Sequence, residues 1–377
     1  MMNKSDVLII GGGLAGLTAA IHLSKSGMKV TLIEKNEFPK HKVCGEYISN
    51  EVLPYLEFLD IDIESLNPVR ISKVSISTVS GKIIHGTLPL GGFGISRYAL
   101  DELLYKAALS NGCDVVRDTV KEIFFDGNLF HVTTKADFDY ISEIAIGAYG
   151  KRSNIDHKIS RSPILKKSPW LAVKAHYSGS FTEDLVAVHN FNGGYCGVSN
   201  VENGIINICY LVDYKTFKKY KSIEDFQEGI VYRNPHLKTI FERSKMLYDK
   251  PLTISQISFA KKPAVENHIL MTGDTAGLIH PLCGNGMAMA IHSAKIASEL
   301  ILEYSLGLIK SRAELEANYT ALWNFNFKKR ITAGRILAWL FRSEKISAIM
   351  IRGLIHFPVL FEKLIQSTHG KPIVIQR

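Results

Sequence analysis

The chain opens on a short, almost wholly apolar run, Asp6-Val7-Leu8-Ile9-Ile10, which predicts a strand buried on both faces. Gly11-Gly12-Gly13-Leu14-Ala15-Gly16 follows as a turn, and Leu17-Thr18-Ala19-Ala20-Ile21-His22-Leu23 reads as a helix. A second apolar run, Lys29-Val30-Thr31-Leu32-Ile33, predicts a second strand ending at Glu34. Turn formers from Phe38 to Tyr47 predict a loop, then a short helix over 53–59. Residues 71–79 and 82–88 flank Ser80-Gly81 as a hairpin. A helix opening at 95–101 carries Leu100, Leu103, Leu104, Ala107 and Ala108 at helical spacing, and short strands follow at 115–116, 120–125, 129–134 and 144–147. Between 156 and 262 the pattern changes to period-two alternation, as over 170–177 and 205–211, which predicts a mixed sheet rather than a second nucleotide fold. A strand at 269–274 and a long helix from about 285 to 303 complete the ordered pattern.

These elements predict an α/β chain with a Rossmann-type dinucleotide-binding domain, an interleaved β-sheet substrate domain and a helical C-terminal region. The nucleotide domain is expected in three blocks, 1–70, 95–155 and 263–310. The sheet domain takes 71–94 and 156–262, and the helical region 311–377. A chain of 377 residues exceeds one average domain, so two interleaved units are expected.

The glycines carry the first chemical signal. Gly11 permits the tight turn, Gly13 lets the backbone approach a pyrophosphate, and Gly16 lets the helix pack closely on the strand. The unpaired N–H groups of the helix start, around Leu14 and Ala15, attract phosphate charge. Glu34, followed by Lys35, stands about 20 residues beyond the glycines, where such folds place a ribose acceptor. Strand, turn, helix, second strand and acid occur in order, which makes the pattern far more specific than glycine spacing alone.

Apolar residues at 46% and charged residues at 21% describe an ordinary globular protein. The five cysteines, Cys44, Cys113, Cys196, Cys209 and Cys283, are odd in number and show no C-x-x-C spacing. That argues against a disulfide framework and against a zinc site, so no metal is expected, and it predicts reduced thiols in a cytoplasmic setting. No apolar leader precedes the first strand, so no signal peptide is expected. The net charge of +9 is concentrated at one end. Residues 323–377 hold ten cations (Lys328, Lys329, Arg330, Arg335, Arg342, Lys345, Arg352, Lys363, Lys371 and Arg377) against Glu344 and Glu362, a net +8. Ile346, Ile349, Met350, Leu354, Phe357, Leu360, Phe361 and Leu364 recur there at helical spacing, interrupted by Pro358. No uncharged run reaches the roughly 18 residues of a spanning helix. Two roles fit this tail: a helical cap on the body of the protein, and a peripheral contact with an anionic membrane surface on its inner face. No nucleic-acid signature accompanies the charge, so nucleic acid is not an expected partner.

The second signal is Gly273-Asp274-Thr275-Ala276-Gly277-Leu278-Ile279-His280-Pro281-Leu282-Cys283-Gly284-Asn285-Gly286-Met287. Asp274 ends an apolar strand where it can accept hydrogen bonds from a sugar-alcohol chain, and Gly284 and Gly286 let a planar ring approach the backbone. The following helix turns its N-terminus, worth about half an elementary charge, toward that ring, which suits the pyrimidine edge of a reduced flavin. With Arg97-x-x-Leu100-Asp101, these segments resemble the FAD-dependent oxidoreductases typified by p-hydroxybenzoate hydroxylase and, more closely, by the geranylgeranyl reductases, over residues 1 to about 305. The resemblance implies FAD, with the Gly11-Gly13-Gly16 turn at its pyrophosphate and Glu34 at the adenosine ribose. It places Arg97 beside the cofactor and Asp274 at the ribityl chain. The loop Lys42-Val43-Cys44-Gly45-Glu46 looks like the cysteine loop that approaches the flavin in those reductases.

Two segments depart from the pattern. In Ile146-Gly147-Ala148-Tyr149-Gly150-Lys151-Arg152-Ser153, Tyr149 replaces the acid of an Asp-Gly pair found in the hydroxylases. Gly194-Tyr195-Cys196-Gly197-Val198 lacks the tryptophan of the halogenase and prenyl-reductase signatures, which argues against a halogenase. Gly91-Gly92-Phe93-Gly94 lacks a following strand–helix context, so no nicotinamide domain is expected; electrons come from transiently bound NAD(P)H or from another carrier such as ferredoxin. Cys44 and His280 are the candidate catalytic proton donors, with Cys283 a weaker third. Trp170, His176, Tyr177, Phe191 and Tyr195 are candidates for the substrate cavity. The expected activity is reduction of a small apolar, unsaturated substrate by hydride from reduced flavin. The alternatives are flavin-dependent hydroxylation of an aromatic or polyketide-like substrate and, ranked lower, electron carriage without an organic substrate.

Overall fold

The computed structural model describes residues 3–151, 154–159 and 168–375. Met1, Met2, Arg152, Ser153 and Arg377, which entered the sequence reading, lie outside the described residues. The first strand, Asn3–Ile10, pairs in parallel with Val30–Glu34 on one side and Asp139–Gly147 on the other, so that Ile9 lies between Leu32 and Ile146. Val7 to Ile10 are buried on both faces, as the unbroken apolar run requires. Asp114–Arg117 and Ile269–Met271 extend the sheet in parallel at its two sides. The antiparallel strands Val265–Glu266, Val120–Phe125 and Phe130–Thr134 complete its eight strands. The helix Leu14–Lys25 covers one face and packs against Arg97–Ser110 and Gly286–Ser305. Two glycines make that approach feasible. Gly11 has φ +106°, and a Cβ on Gly16 would sit 2.0 Å from the carbonyl oxygen of Gly11.

The second sheet has nine strands. Trp170–Ser178, Ile205–Asp213, Gly194–Val201 and Leu185–Phe191 form an antiparallel series. Leu185–Phe191 then pairs in parallel with Val69–Ser77, one arm of the expected hairpin, whose partner is Ile83–Gly94. That second arm runs longer than its local pattern predicts because Gly92–Gly94 pair with Tyr47–Ser49, a non-local strand in the segment assigned to the nucleotide domain. Ile48 and Phe93 of this pairing are buried in the core of the first sheet, while Tyr47 packs with the second sheet and the tail.

The tail forms three helices, Arg312–Arg342, Glu344–His356 and Pro358–Thr368. Ser311 and Ser343 cap the first two by accepting the N–H groups of Glu314 and Ile346. Pro358 begins the last helix at a position where its missing N–H costs nothing, rather than interrupting one. Trp323, Phe327, Ile331 and Leu337 join the core of the first sheet, while Ile351, Phe361 and Ile365 pack with Ile71, Val74, Ile84 and Leu88 of the second. Arg330 clasps the buried Glu51 at 2.9 Å, Glu51 also accepts the N–H of Gly370, and Ile373 donates to the Glu51 carbonyl at 2.9 Å. The capping role expected of the tail is therefore realised in the fold. Among the described residues no helix is long and apolar enough to cross a membrane.

Three histidines are held neutral inside this fold. Burial, with the charges of Lys295 and Lys25, lowers His22 to about 4. Burial lowers His189 to about 3 beside His236, and His292 to about 3 with help from Arg330 and Lys295. Each binds a proton in the unfolded chain before it does in the folded one, so stability present above pH 6.5 is lost as pH falls toward those values. The loss at pH 5.5 is about 1 kcal/mol for each histidine. The urea midpoint is expected to fall from pH 7 to pH 5; a midpoint flat over that interval would contradict this account.

Candidate active site

A cavity of about 570 Å³ lies between the two sheets and under the tail. Its polar end is the mouth of the first sheet. Gly13, Leu14 and Ala15 line it, and the first turn of their helix has neither an acidic residue nor a side-chain cap, so its N–H groups stay available to an anion. A Cβ on Gly13 would meet nothing within 4 Å. Glu34 and Lys35 line the same end, and the Glu34 carboxylate accepts the N–H of Gly12 at 2.7 Å and that of Asn36 at 2.9 Å. Lys42 reaches the buried Asp101 at 2.7 Å. Arg97 grips the same Asp101 through two nitrogens, at 2.7 and 2.9 Å. Lost hydration would lower the Arg97 pKa, yet the Asp101 carboxylate outweighs it and holds the guanidinium charged.

In the middle of the cavity stand Gly273, Asp274, Gly284, Gly286 and Met287. Gly273 and Gly284 have φ of +57° and +62°, so the turn depends on residues without a Cβ. Asp274 receives no hydrogen bond among the described residues. Lost hydration raises its pKa, opposed by the charges of Lys151, Arg97 and Lys262. The Gly286–Ser305 helix starts at this point without a side-chain cap. Cys44 and Gly45 line the wall, and their carbonyls are held from the second sheet by the Asn207 amide at 3.3 and 2.8 Å. Beyond them the cavity turns apolar, with Val74, Ile76, Leu88, Val186 and Val188 from the sheet and Leu337, Phe341, Phe361, Leu364 and Ile365 from the tail.

Glu46 is the feature that no local pattern announced. It lines the cavity with φ +52° and is fully buried. Its carboxylate accepts from Lys174 at 2.9 Å, from His176 at 2.6 Å and from the N–H of Arg97 at 2.9 Å. Burial alone would raise the Glu46 pKa, but the His176 hydrogen bond and the Lys174 charge bring it below the usual value. Behind this trio, His41 meets the His176 ring edge-on and Tyr248 meets it at a tilt, at ring separations of 5.3 Å each. Burial and the charge of Lys174 lower the His41 pKa.

Most of the residues singled out from sequence thus meet around one cavity. Gly11 and Gly16 lie behind it, shaping the turn. Asn285 is fully buried off the cavity and accepts from Arg330 at 3.3 Å. His280 also stands off the lining, packed among Phe259, Tyr195 and Trp170. Proline at 281 turns the lining over to Pro281, Leu282 and Cys283, and this removes His280 from direct contact with the cavity. Of the five substrate-cavity candidates only Tyr195 lines it. Tyr177 and Phe191 face the core on the other side of the second sheet, while His176 serves Glu46. Cys283 is buried and its thiol is pushed up to about 12 by lost hydration. Where Tyr149 replaces the expected acid, its hydroxyl donates to Asp156 at 3.1 Å, and Asp156 itself lies off the cavity. Among the described residues no group of side chains is arranged to hold a metal ion.

A glycine turn opening a helix, an acid at the end of the second strand and a second glycine-rich turn over an elongated cavity resemble the arrangement of the FAD-dependent oxidoreductases, whose cofactor is FAD. The family model described as FAD-dependent oxidoreductase matches residues 6–44. In particular, the chain is 25% identical to digeranylgeranylglycerophospholipid reductase from Thermoplasma volcanium, over 80% of this chain and 79% of that one. It is 21% identical to tryptophan 2-halogenase from Chondromyces crocatus, over 89% of this chain and 66% of that one. It spans 63% of the length of conditioned medium factor receptor 1 from Dictyostelium discoideum, at 24% identity over 79% of this chain. Among solved structures, flavin-dependent brominase Bmp2 superposes with a TM-score of 0.81 at 18% identity, covering 97% of this chain and 93% of that one. A geranylgeranyl bacteriochlorophyll reductase-like protein from Thermoplasma acidophilum gives 0.73 at 19%, covering 98% and 93%. At these identities the superpositions establish a common fold. They also show that the missing tryptophan, which argued against a halogenase, does not set the fold apart from that of the halogenases.

Proposed function

We propose that the protein reduces an apolar, unsaturated substrate by hydride transfer from reduced FAD. The observation that carries this reading is the shape of the cavity: one end offers glycines, cations and carboxylates, and the other is walled by aliphatic and aromatic side chains without a break between them. Bound in its reduced form, the flavin would supply the hydride. The Leu14 helix start, with Lys42 close by, would take the pyrophosphate, Glu34 the adenosine ribose and Asp274 the ribityl chain. The open space at Gly13 and the absence of a hydrogen bond to Asp274 among the described residues fit those roles. Arg97, fixed by Asp101, would present its charge beside the ring. The uncapped start of the Gly286 helix would stabilise negative charge there. Cys44, on a loop fastened by Asn207, would give the proton that accompanies the hydride; one hydride and one proton convert a carbon–carbon double bond to a single bond. NAD(P)H or another carrier, docking transiently, would restore the reduced cofactor.

The test is anaerobic mixing of the reduced holoprotein with isoprenoid alcohols of graded chain length. Bleached flavin absorbance is expected to return, with a product two hydrogens heavier than the substrate. In a parallel aerobic mixing with aromatic substrates, reoxidation accompanied by a hydroxylated aromatic product, with no reoxidation by the isoprenoid alcohols, would replace this reading with the monooxygenase one. Reoxidation by protein carriers without any organic product would leave an electron carrier.

A further inference from the structure

The three C-terminal helices separate the apolar cavity from a second apolar surface on the outside. In the Arg312–Arg342 helix, Leu322, Phe325, Ile336 and Trp339 fall within one stripe about 100° wide at the helical pitch. The opposite side of that helix buries Trp323, Phe327 and Leu337. Phe325 is 82% exposed and Trp339 61%. The next two helices continue the outward surface with Ile349, Phe357 and Leu360, at 69%, 61% and 52%. Their inward sides supply Ile351, Phe361 and Ile365 to the core.

Charge decides what this face suits. Among the described side chains between residues 322 and 368, six cations are exposed: Lys328, Lys329, Arg335, Lys345, Arg352 and Lys363. The acids of the same stretch are two, Glu344 and Glu362. Aromatic side chains set among long basic ones are the composition of an interfacial helix, whose apolar residues enter the headgroup boundary while the cations reach anionic lipid. Among the described residues no helix is long and apolar enough to span the bilayer, so the contact proposed is a shallow one.

We propose that the outer face of residues 322–368 docks on an anionic lipid surface and sets the apolar cavity directly beneath it. Phe341, Phe361 and Leu364 line that cavity from the inner side of the same helices, so docking brings a lipid-soluble substrate within one helix diameter of it. The inference goes beyond the proposed reaction and does not depend on it, since docking is read by binding alone.

The experiment is co-flotation of the full-length, FAD-loaded protein with vesicles of equimolar phosphatidylglycerol and phosphatidylcholine, and with vesicles of phosphatidylcholine alone. Flotation is expected with the anionic vesicles, weakened by salt and by removal of the anionic lipid. Phe325→Ser with Trp339→Ser, and separately Lys328→Glu with Lys329→Glu, are expected to lower the bound fraction at least about tenfold. These positions are on the surface, so retained flavin absorbance confirms that each variant folds. Equal flotation of wild type and both variants, or equal binding to the two vesicle types, would overturn the proposal. A stable dimer by light scattering that loses its association in the Phe325→Ser, Trp339→Ser variant, with no vesicle binding, would assign the face to self-association instead.

Discussion

Gly13→Val is expected to leave a folded protein that does not retain its flavin. Gly13 has φ −86° and ψ −175°, a backbone conformation open to any residue, and a Cβ there meets no atom within 4 Å. The fold therefore has no reason to resist the substitution. The same emptiness is the space into which the proposed pyrophosphate must come, against the N–H groups of the Leu14 helix start. Each hydrogen bond to a charged group that the side chain prevents costs about 1.5–3 kcal/mol. Loss of two such bonds would weaken FAD binding by at least a hundredfold. Gly16→Val is the contrast, because its Cβ would lie 2.0 Å from the Gly11 carbonyl and the helix must move off the strand. The pair separates the two uses of glycine in one turn: Gly13→Val should keep native circular dichroism and lose yellow colour, whereas Gly16→Val should lose both. A Gly13→Val protein that purifies with stoichiometric FAD would show that the cofactor does not lie over this turn.

The second large effect is expected at Glu46. Lys174 and His176 are buried with it, so Glu46→Leu strands a fully buried ammonium group among apolar neighbours. Removing one member of a buried ion pair costs about 3–5 kcal/mol, most of it the penalty on the charge left behind. The same change removes the acceptor for the N–H of Arg97, which opens the helix carrying Asp101. Denaturant unfolding of Glu46→Leu, Lys174→Met and the double variant measures the coupling. The double variant should recover most of the loss, because no lone charge remains. A single-variant cost below about 1 kcal/mol would mean that water or relaxation reaches Lys174 and that the trio is not sealed. Glu46 also adds to acid sensitivity. With its folded pKa below the unfolded one, its contribution is present above pH 4.5 and disappears as pH falls through the folded value.

Glu46 shows where sequence reasoning stops. Its neighbours Cys44 and Gly45 were picked out by the loop they share with known flavoproteins, but Glu46 itself reads as an ordinary polar loop residue. Its partners are 128 and 130 residues away on Trp170–Ser178, in a strand whose alternation predicts only which side is apolar. The same separation hid Asn207, whose amide holds the cysteine loop from another strand. His280 illustrates the reverse case. Its place in a glycine-rich segment suggested contact with a ring, and the turn through Pro281 gives that contact to its successors.

The features that sequence alone determined are those governed by local physics. The apolar strand, the glycine turn, the helix start and Glu34 follow one another within 29 residues, and each is dictated by sterics, backbone hydrogen bonding or the period of burial. The helical tail was legible for the same reason, from spacing and charge. Tertiary structure alone decided that the tail's inner face closes the apolar end of the cavity, that Tyr47–Ser49 crosses into the second sheet, and that a carboxylate, an ammonium and an imidazole share one buried point. Those outcomes depend on which distant surfaces exclude water together, and a burial period records only that a residue faces inward, never what it meets there.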